Sequence, residues 1–157
     1  MQQIKIIFFD IDGTLIDMQS KHISPRTVEA LHLLRANGIR LCIATGRAPV
    51  TLPYFGGAEF DAYLTFNGSL CYAGTDTIYS RPINGADLQR LIQNAASLGR
   101  PVAAATRDRI AANGTDTDLT DYFAIANEKP DLTADFDAVC RQPVYQLMLG
   151  CRAKDYP

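Results

Sequence analysis

The sequence has no apolar run approaching the ~18 residues that a membrane-crossing helix needs. It has no cluster of lysine and arginine, no Cys-x-x-Cys pair, and only two histidines, His22 and His32. Each lack removes a class of function. Without a long apolar run, nothing in these 157 residues is expected to span a membrane. With a net charge of −2 and no basic cluster, neither nucleic acid nor an anionic membrane surface is expected as the main partner. The four cysteines, Cys42, Cys71, Cys140 and Cys151, are too widely spaced for a zinc site and read as buried free thiols. The N-terminal stretch MQQIKIIFFD runs into acids and has no small-residue cleavage site, so the expected location is the cytoplasm. The Asn-x-Ser/Thr sequons at Asn67 and Asn113 are then chance matches, both in Asn-Gly pairs that suit turns. A P-loop, a Gly-x-Gly-x-x-Gly turn and a Gly-x-Ser-x-Gly elbow are also missing.

What is present is an ordinary globular composition, 47% hydrophobic and 20% charged. Residues 4–9, nearly all apolar, suit a central strand covered on both faces. Ser24 and Pro25 read as the N-cap and first position of a helix that carries Val28, Leu31, Leu34 and Arg35 at helical spacing and ends at Asn37-Gly38. His32 flanks that stripe. Residues 39–44 form the next strand, which makes a parallel βαβ unit. A third strand near 62–66 leads into Asn67-Gly68, then a hairpin of residues 69–72 with TIYSRPI. Beyond Pro82 the order changes. A helix over about 84–98 has the stripe Leu88, Leu91, Ile92, Ala95 and Ala96; PVAAAT and RIAANG form a hairpin; DTDLTDYFAIAN is a short helix; VYQLMLGC is a last strand. The chain is thus expected to divide into 1–81, an α/β doubly wound part, and 82–157, an α+β part. Tyr122, Phe123 and Tyr145 read as packing residues.

The chemistry concentrates in IIFFDIDGTLID. Residues i and i+2 of an extended segment point the same way, so Asp10 and Asp12 can face one site. They follow the first strand, where open α/β sheets place ligands. Two carboxylates so close repel unless a cation lies between them, and Mg²⁺ suits hard oxygen ligands. Gly13 permits a sharp turn and bares backbone N–H groups. An EF-hand loop is excluded because Thr14 and Leu15 stand where it needs an acid or amide and a glycine. Asp17 reads as a loop acid.

These residues resemble the haloacid dehalogenase-like hydrolases. DIDGTLID is similar to their first motif, Asp-x-Asp-Gly-Thr; CIATGR (42–47) to their second; FNGS (66–69) to a stretch of the Cof-type, capped phosphatase subgroup. The resemblance implies a Rossmann-like core with an α+β cap inserted near residue 82, acting on small phosphorylated metabolites such as sugar phosphates. It implies that Asp10 is the nucleophile and Asp12 the acid/base. Mg²⁺ would be held by Asp10 and by the backbone carbonyl of Asp12. Gly13, Thr14, Thr45, Gly46, Arg47, Asn67 and Gly68 would contact phosphate or substrate. The family's third motif, a lysine or arginine, and its fourth, an acidic cluster, follow the cap in this order. Neither is found over 82–157: Lys129 precedes a proline, Lys154 is three residues from the end, and TDTD and ADFD lack the form. The expectation is a chain that stops within its cap, is weakly active or inactive alone, and can self-associate through an uncovered core edge. The alternatives are a non-catalytic phosphate- or Mg²⁺-binding module and a phosphomutase-like enzyme.

Overall fold

Ser24 starts the first helix by accepting a hydrogen bond from the Thr27 amide at 3.1 Å, and Pro25 stands at its first position. This helix, α1 (Pro25–Ala36), ends where Asn37 gives way to Gly38 at φ +77°. It joins two parallel strands, β1 (Ile6–Phe9) and β2 (Arg40–Ala44). Next come β3 (Ala62–Thr65), parallel to β2, and the antiparallel strands β4 (Leu70–Ala73) and β5 (Asp76–Ser80). The five pair in the order β1-β2-β3-β4-β5. These assignments come from a computed structural model that describes residues 4–125, 128–129, 131–132 and 135–152.

The chain divides into two compact units, Met1–Arg81 and Pro82–Pro157. In the first, Leu31 of α1 meets Leu41 and Ile43 of β2 in one cluster, together with Ile11, Leu15 and Ile16 from the loop after β1. Burying side chains of this size contributes roughly 1.5–3 kcal/mol each. The loop that carries the acids is therefore anchored in the core. The expectation of a fully covered first strand is corrected: among the described residues β1 is an edge strand, and Ile6 and Phe8 are 44% and 51% exposed. Phe9, on the alternate face, packs against the core cluster. A continuous apolar run shows that both faces are greasy, but it does not show what lies on each.

The second unit is built on a small three-stranded antiparallel sheet: β6 (Ala103–Ala105), β7 (Ile110–Ala112) and β8 (Gln146–Met148), in the order β7-β6-β8. Its helices are α2 (Gly85–Ser97), α3 (Thr117–Ile125) and α4 (Phe136–Cys140). Asn84 caps α2 by accepting from the Ala86 amide at 2.9 Å. The three alanines of β6 are fully buried, and Ala104 clusters with Leu88 of α2 and Val144. The expected stripe on α2 is narrower in fact: Leu88 and Ala95 are buried, while Leu91 and Ala96 are exposed. Helix α4 was not foreseen, because five residues are too few for apolar periodicity to show; its signal was the cap, Asp135 accepting from the Ala138 amide at 3.1 Å. Phe123 is buried and Tyr122 is exposed. All four cysteines are free, but only Cys42 is buried; Cys71 and Cys140 are half-buried and Cys151 is exposed. Among the described residues no helix is long and apolar enough to cross a membrane. Lys154 lies outside the described residues.

Candidate functional site

The segment after β1 folds tightly on itself. The Ile11 carbonyl accepts from the amides of Thr14, Leu15 and Ile16, and the Gly13 amide returns to the Ile16 carbonyl at 2.9 Å. Gly13 sits at φ +79°, a conformation that residues with a side chain rarely adopt. Ile11, Leu15 and Ile16 point into the core, which leaves Asp10 exposed and Asp12 partly exposed. The pattern DIDGTLI is thus legible as physics: apolar residues fasten the loop, and the residues between them are presented outward.

Asp12 is held from the loop after β2. Arg47 donates through Nε and Nη2 to its two carboxylate oxygens, each at 2.8 Å, and through Nη1 to the Thr51 carbonyl at 2.8 Å. This bidentate grip fixes both the position and the plane of the carboxylate. The Arg47 hydrogen bonds, with its charge and that of Lys21, hold the Asp12 carboxyl below the usual carboxylate range, against the opposing effect of partial burial. Arg47, expected among the residues that contact phosphate or substrate, directs its guanidinium to Asp12 and to the Thr51 carbonyl. Sequence reasoning missed Thr51, whose main-chain carbonyl completes the arrangement and leaves no trace in residue type.

Thr45 directly follows β2 and is buried, its amide bonded to the Leu64 carbonyl at 2.9 Å. Its hydroxyl accepts from the Arg47 amide at 3.2 Å, so the hydroxyl proton is left to donate elsewhere. Asn67 comes to the same loop from the end of β3: its amide donates to the Thr45 carbonyl at 2.9 Å, and the Phe66 amide donates to the Arg47 carbonyl at 3.1 Å. Gly46 lies between, and a Cβ built on it would stand 3.1 Å from the Asn67 side-chain oxygen. Gly68 follows at φ +89°, its carbonyl accepting from the Cys71 thiol.

Hydrogen bonds and close packing thus bring together Asp12, Thr45, Gly46, Arg47 and Asn67. Gly13 and Thr14 line a different hollow of about 590 Å³, shared with Met18, His22 and Ser24 and lined by neither Asp10 nor Asp12. Asp17 behaves as a loop acid, accepting from the amides of Gln19 and Ser20. As metal donors the acid loop offers hard oxygens, the right type for Mg²⁺. Both Asp12 carboxylate oxygens already face Arg47, which leaves its main-chain carbonyl as the oxygen Asp12 can still offer a cation. Among the described residues no group of three or more His, Cys, Asp or Glu could hold a metal.

Comparison with known proteins places the chain in a family. Residues 7–154 match the family model described as haloacid dehalogenase-like hydrolase. "Putative phosphatase YkrA" of Bacillus subtilis (strain 168) is 28% identical over 153 residues, which cover 96% of this chain and 59% of that protein. A crystal structure of a hypothetical protein from Geobacillus kaustophilus HTA426 superimposes with a TM-score of 0.83 at 29% identity, over 98% of this chain and 60% of that one. The subclass IIB sugar phosphatase BT4131 does so with a TM-score of 0.76 at 26% identity, over 91% and 57%. The chain therefore spans about three fifths of the length of these relatives. It belongs to the haloacid dehalogenase-like hydrolase family, with the Rossmann-like sheet of that family.

Proposed function

We propose that the acid loop is the reaction centre of a phosphoric monoester hydrolase acting on small phosphorylated metabolites, sugar phosphates among them. The observation that carries the reading is the Arg47 grip on Asp12, made from the same loop that presents the Thr45 hydroxyl. A bare pair of turn-forming acids has no use for it.

In this reading an Asp10 oxygen attacks phosphorus, the bond to the ester oxygen breaks, and the alcohol leaves with a proton from Asp12. Water then attacks the aspartyl-phosphate and gives its proton to Asp12; the Asp10–phosphorus bond breaks and inorganic phosphate departs. Arg47 favours the ionised form of Asp12, which suits the water step, and aims the carboxylate for both steps. It acts through Asp12 and is a positioning residue. The Thr45 hydroxyl and the Gly46 amide take phosphate oxygens, and Asn67 adds a donor. Mg²⁺ would be held by the Asp10 carboxylate and the Asp12 main-chain carbonyl. When bound, it shields the nucleophile from the phosphate charge. Residues 82–157 are read as part of a cap domain, which selects the substrate.

A second reading, a non-catalytic module binding phosphate or Mg²⁺, draws on the missing third acid among the described residues. For the same reason the 157-residue chain alone is expected to turn over slowly or not at all. The test is hydrolysis of p-nitrophenyl phosphate with Mg²⁺ by the purified chain and its Asp10→Asn variant. Slow turnover abolished by the substitution supports the hydrolase. Turnover that survives Asp10→Asn contradicts it, and the absence of both turnover and Asp10-dependent beryllofluoride binding favours the non-catalytic module.

A further inference from the structure

Two consecutive residues at the end of β3 adopt a backbone that side chains disfavour: Phe66 at φ +51° and Asn67 at φ +56°, followed by Gly68 at φ +89°. Asparagine tolerates this region, but a bulky aromatic there is a genuine outlier. Such conformations persist only where the surroundings over-determine them, and they gather at functional sites. Here the surroundings are specific. The Phe66 ring is buried. Its amide reaches the Arg47 carbonyl at 3.1 Å, and the next amide, that of Asn67, reaches the Thr45 carbonyl at 2.9 Å. The two bonds flank Gly46. At Gly46 no positive φ demands glycine; what a Cβ would meet is the Asn67 carboxamide, at 3.1 Å for its oxygen and 3.5 Å for its nitrogen.

We propose that Asn67, besides its donor to phosphate, positions the Thr45–Arg47 loop. The left-handed Phe66–Asn67 pair ties that loop down on both sides of Gly46, and the Asn67 carboxamide lies close over position 46, its oxygen 3.1 Å from where a Cβ would stand. Thr45 and the arm that carries the Arg47 fork are thereby held from β3. The disfavoured backbone is the means by which one strand end sets the geometry of the next. For its ligand this inference rests on the reading of the loop as a phosphate site; for its steric part it does not.

A double-substitution cycle separates the two. Thermal midpoints are measured for the unsubstituted chain, Gly46→Ala, Asn67→Gly and the double variant, and orthovanadate with Mg²⁺ is titrated calorimetrically into each. With Asn67 in place, Gly46→Ala lowers the midpoint by about 2–4 °C, the size expected for a tight contact that must give way. With Asn67→Gly, the space is open and the same alanine raises the midpoint by about 1–3 °C, because it restricts the unfolded chain. Orthovanadate affinity falls about 10-fold in Asn67→Gly and in Gly46→Ala, and the double variant does not regain it. Asn67→Asp, equal in size, keeps the coupling to position 46 but loses vanadate affinity through its charge. A Gly46→Ala shift of the same sign and size in both backgrounds overturns the proposal, as does undiminished vanadate binding by Asn67→Gly. Coupling in a chain that binds no vanadate at all sustains the interlock and overturns the phosphatase reading instead.

Discussion

Two arginine–aspartate clusters, one in each unit, serve opposite ends. In Met1–Arg81, Arg47 grips Asp12 at the mouth of the parallel strands, in a loop where the carboxylate stays partly open to solvent. In Pro82–Pro157, Arg100 bonds Asp118 and pairs with Asp116 at 3.3 Å, while Arg152 bonds Asp118 and pairs with Asp121 at 2.8 Å. Arg100 also donates to the Gly150 carbonyl at 2.9 Å, so this network fastens the start of α3 to the segment after β8. The first pair orients one acid, whereas the second network knits chain segments. The cores differ in kind too. Large aliphatic residues fill the first, and the sheet of the second is centred on three alanines. Reading a charge pair as functional therefore depends on what else its loop presents, and only the first lies beside a buried threonine hydroxyl with a proton to give.

That contrast can be broken at its strongest point first. Leu41→Ala, in the fully buried face of β2, should cost about 2–5 kcal/mol in urea unfolding, because it leaves a cavity among large neighbours. Ala104→Leu should cost about 1–3 kcal/mol for the opposite reason, since β6 has no room for a larger side chain. If the enlargement proves harmless, the alanine sheet is looser than its burial indicates. The arginines come next. Arg47→Ala and Arg100→Ala should each change stability modestly, and only Arg47→Ala should weaken orthovanadate binding, by about 10-fold. Equal losses of binding would erase the distinction between the two pairs.

The smallest effect is a pH dependence. Asp12 has its carboxyl lowered in the folded chain, first by the Arg47 hydrogen bonds, so its contribution is fully present above the unfolded carboxylate value of about 4. It is lost as the pH falls through the lowered folded value. Unfolding midpoints followed from pH 6 downward should fall less steeply in Arg47→Ala than in the unsubstituted chain. Parallel curves would show that the pair does not hold Asp12 ionised.

Much of this was readable from residue order, for identifiable reasons. Ser24-Pro25 and Asn37-Gly38 bounded α1 because capping and left-handed geometry are local matters. The hairpin of β6 and β7 followed from two short apolar runs close together in the chain. The acid loop showed itself because Asp10 and Asp12 alternate with residues that must be buried. What stayed hidden was non-local or main-chain. That Arg47 would turn toward Asp12 depends on two loops meeting 35 residues apart. The left-handed backbone of Phe66 is dictated by carbonyls of another loop, and no aromatic advertises it. The exposure of Ile6 and Phe8 depends on what covers β1, and an apolar run carries no such information.

The central claim is that Asp10, Asp12, Thr45 and Asn67 form one phosphate-handling site. Its most direct test is ¹⁵N amide mapping of the chain titrated with Mg²⁺ and beryllofluoride, a mimic of the aspartyl-phosphate. The account expects the amides of residues 10–14, 45–47 and 67–68 to shift together along one binding curve, and to stay still in Asp10→Asn. Shifts that bypass these residues, or that persist unchanged in Asp10→Asn, would contradict it.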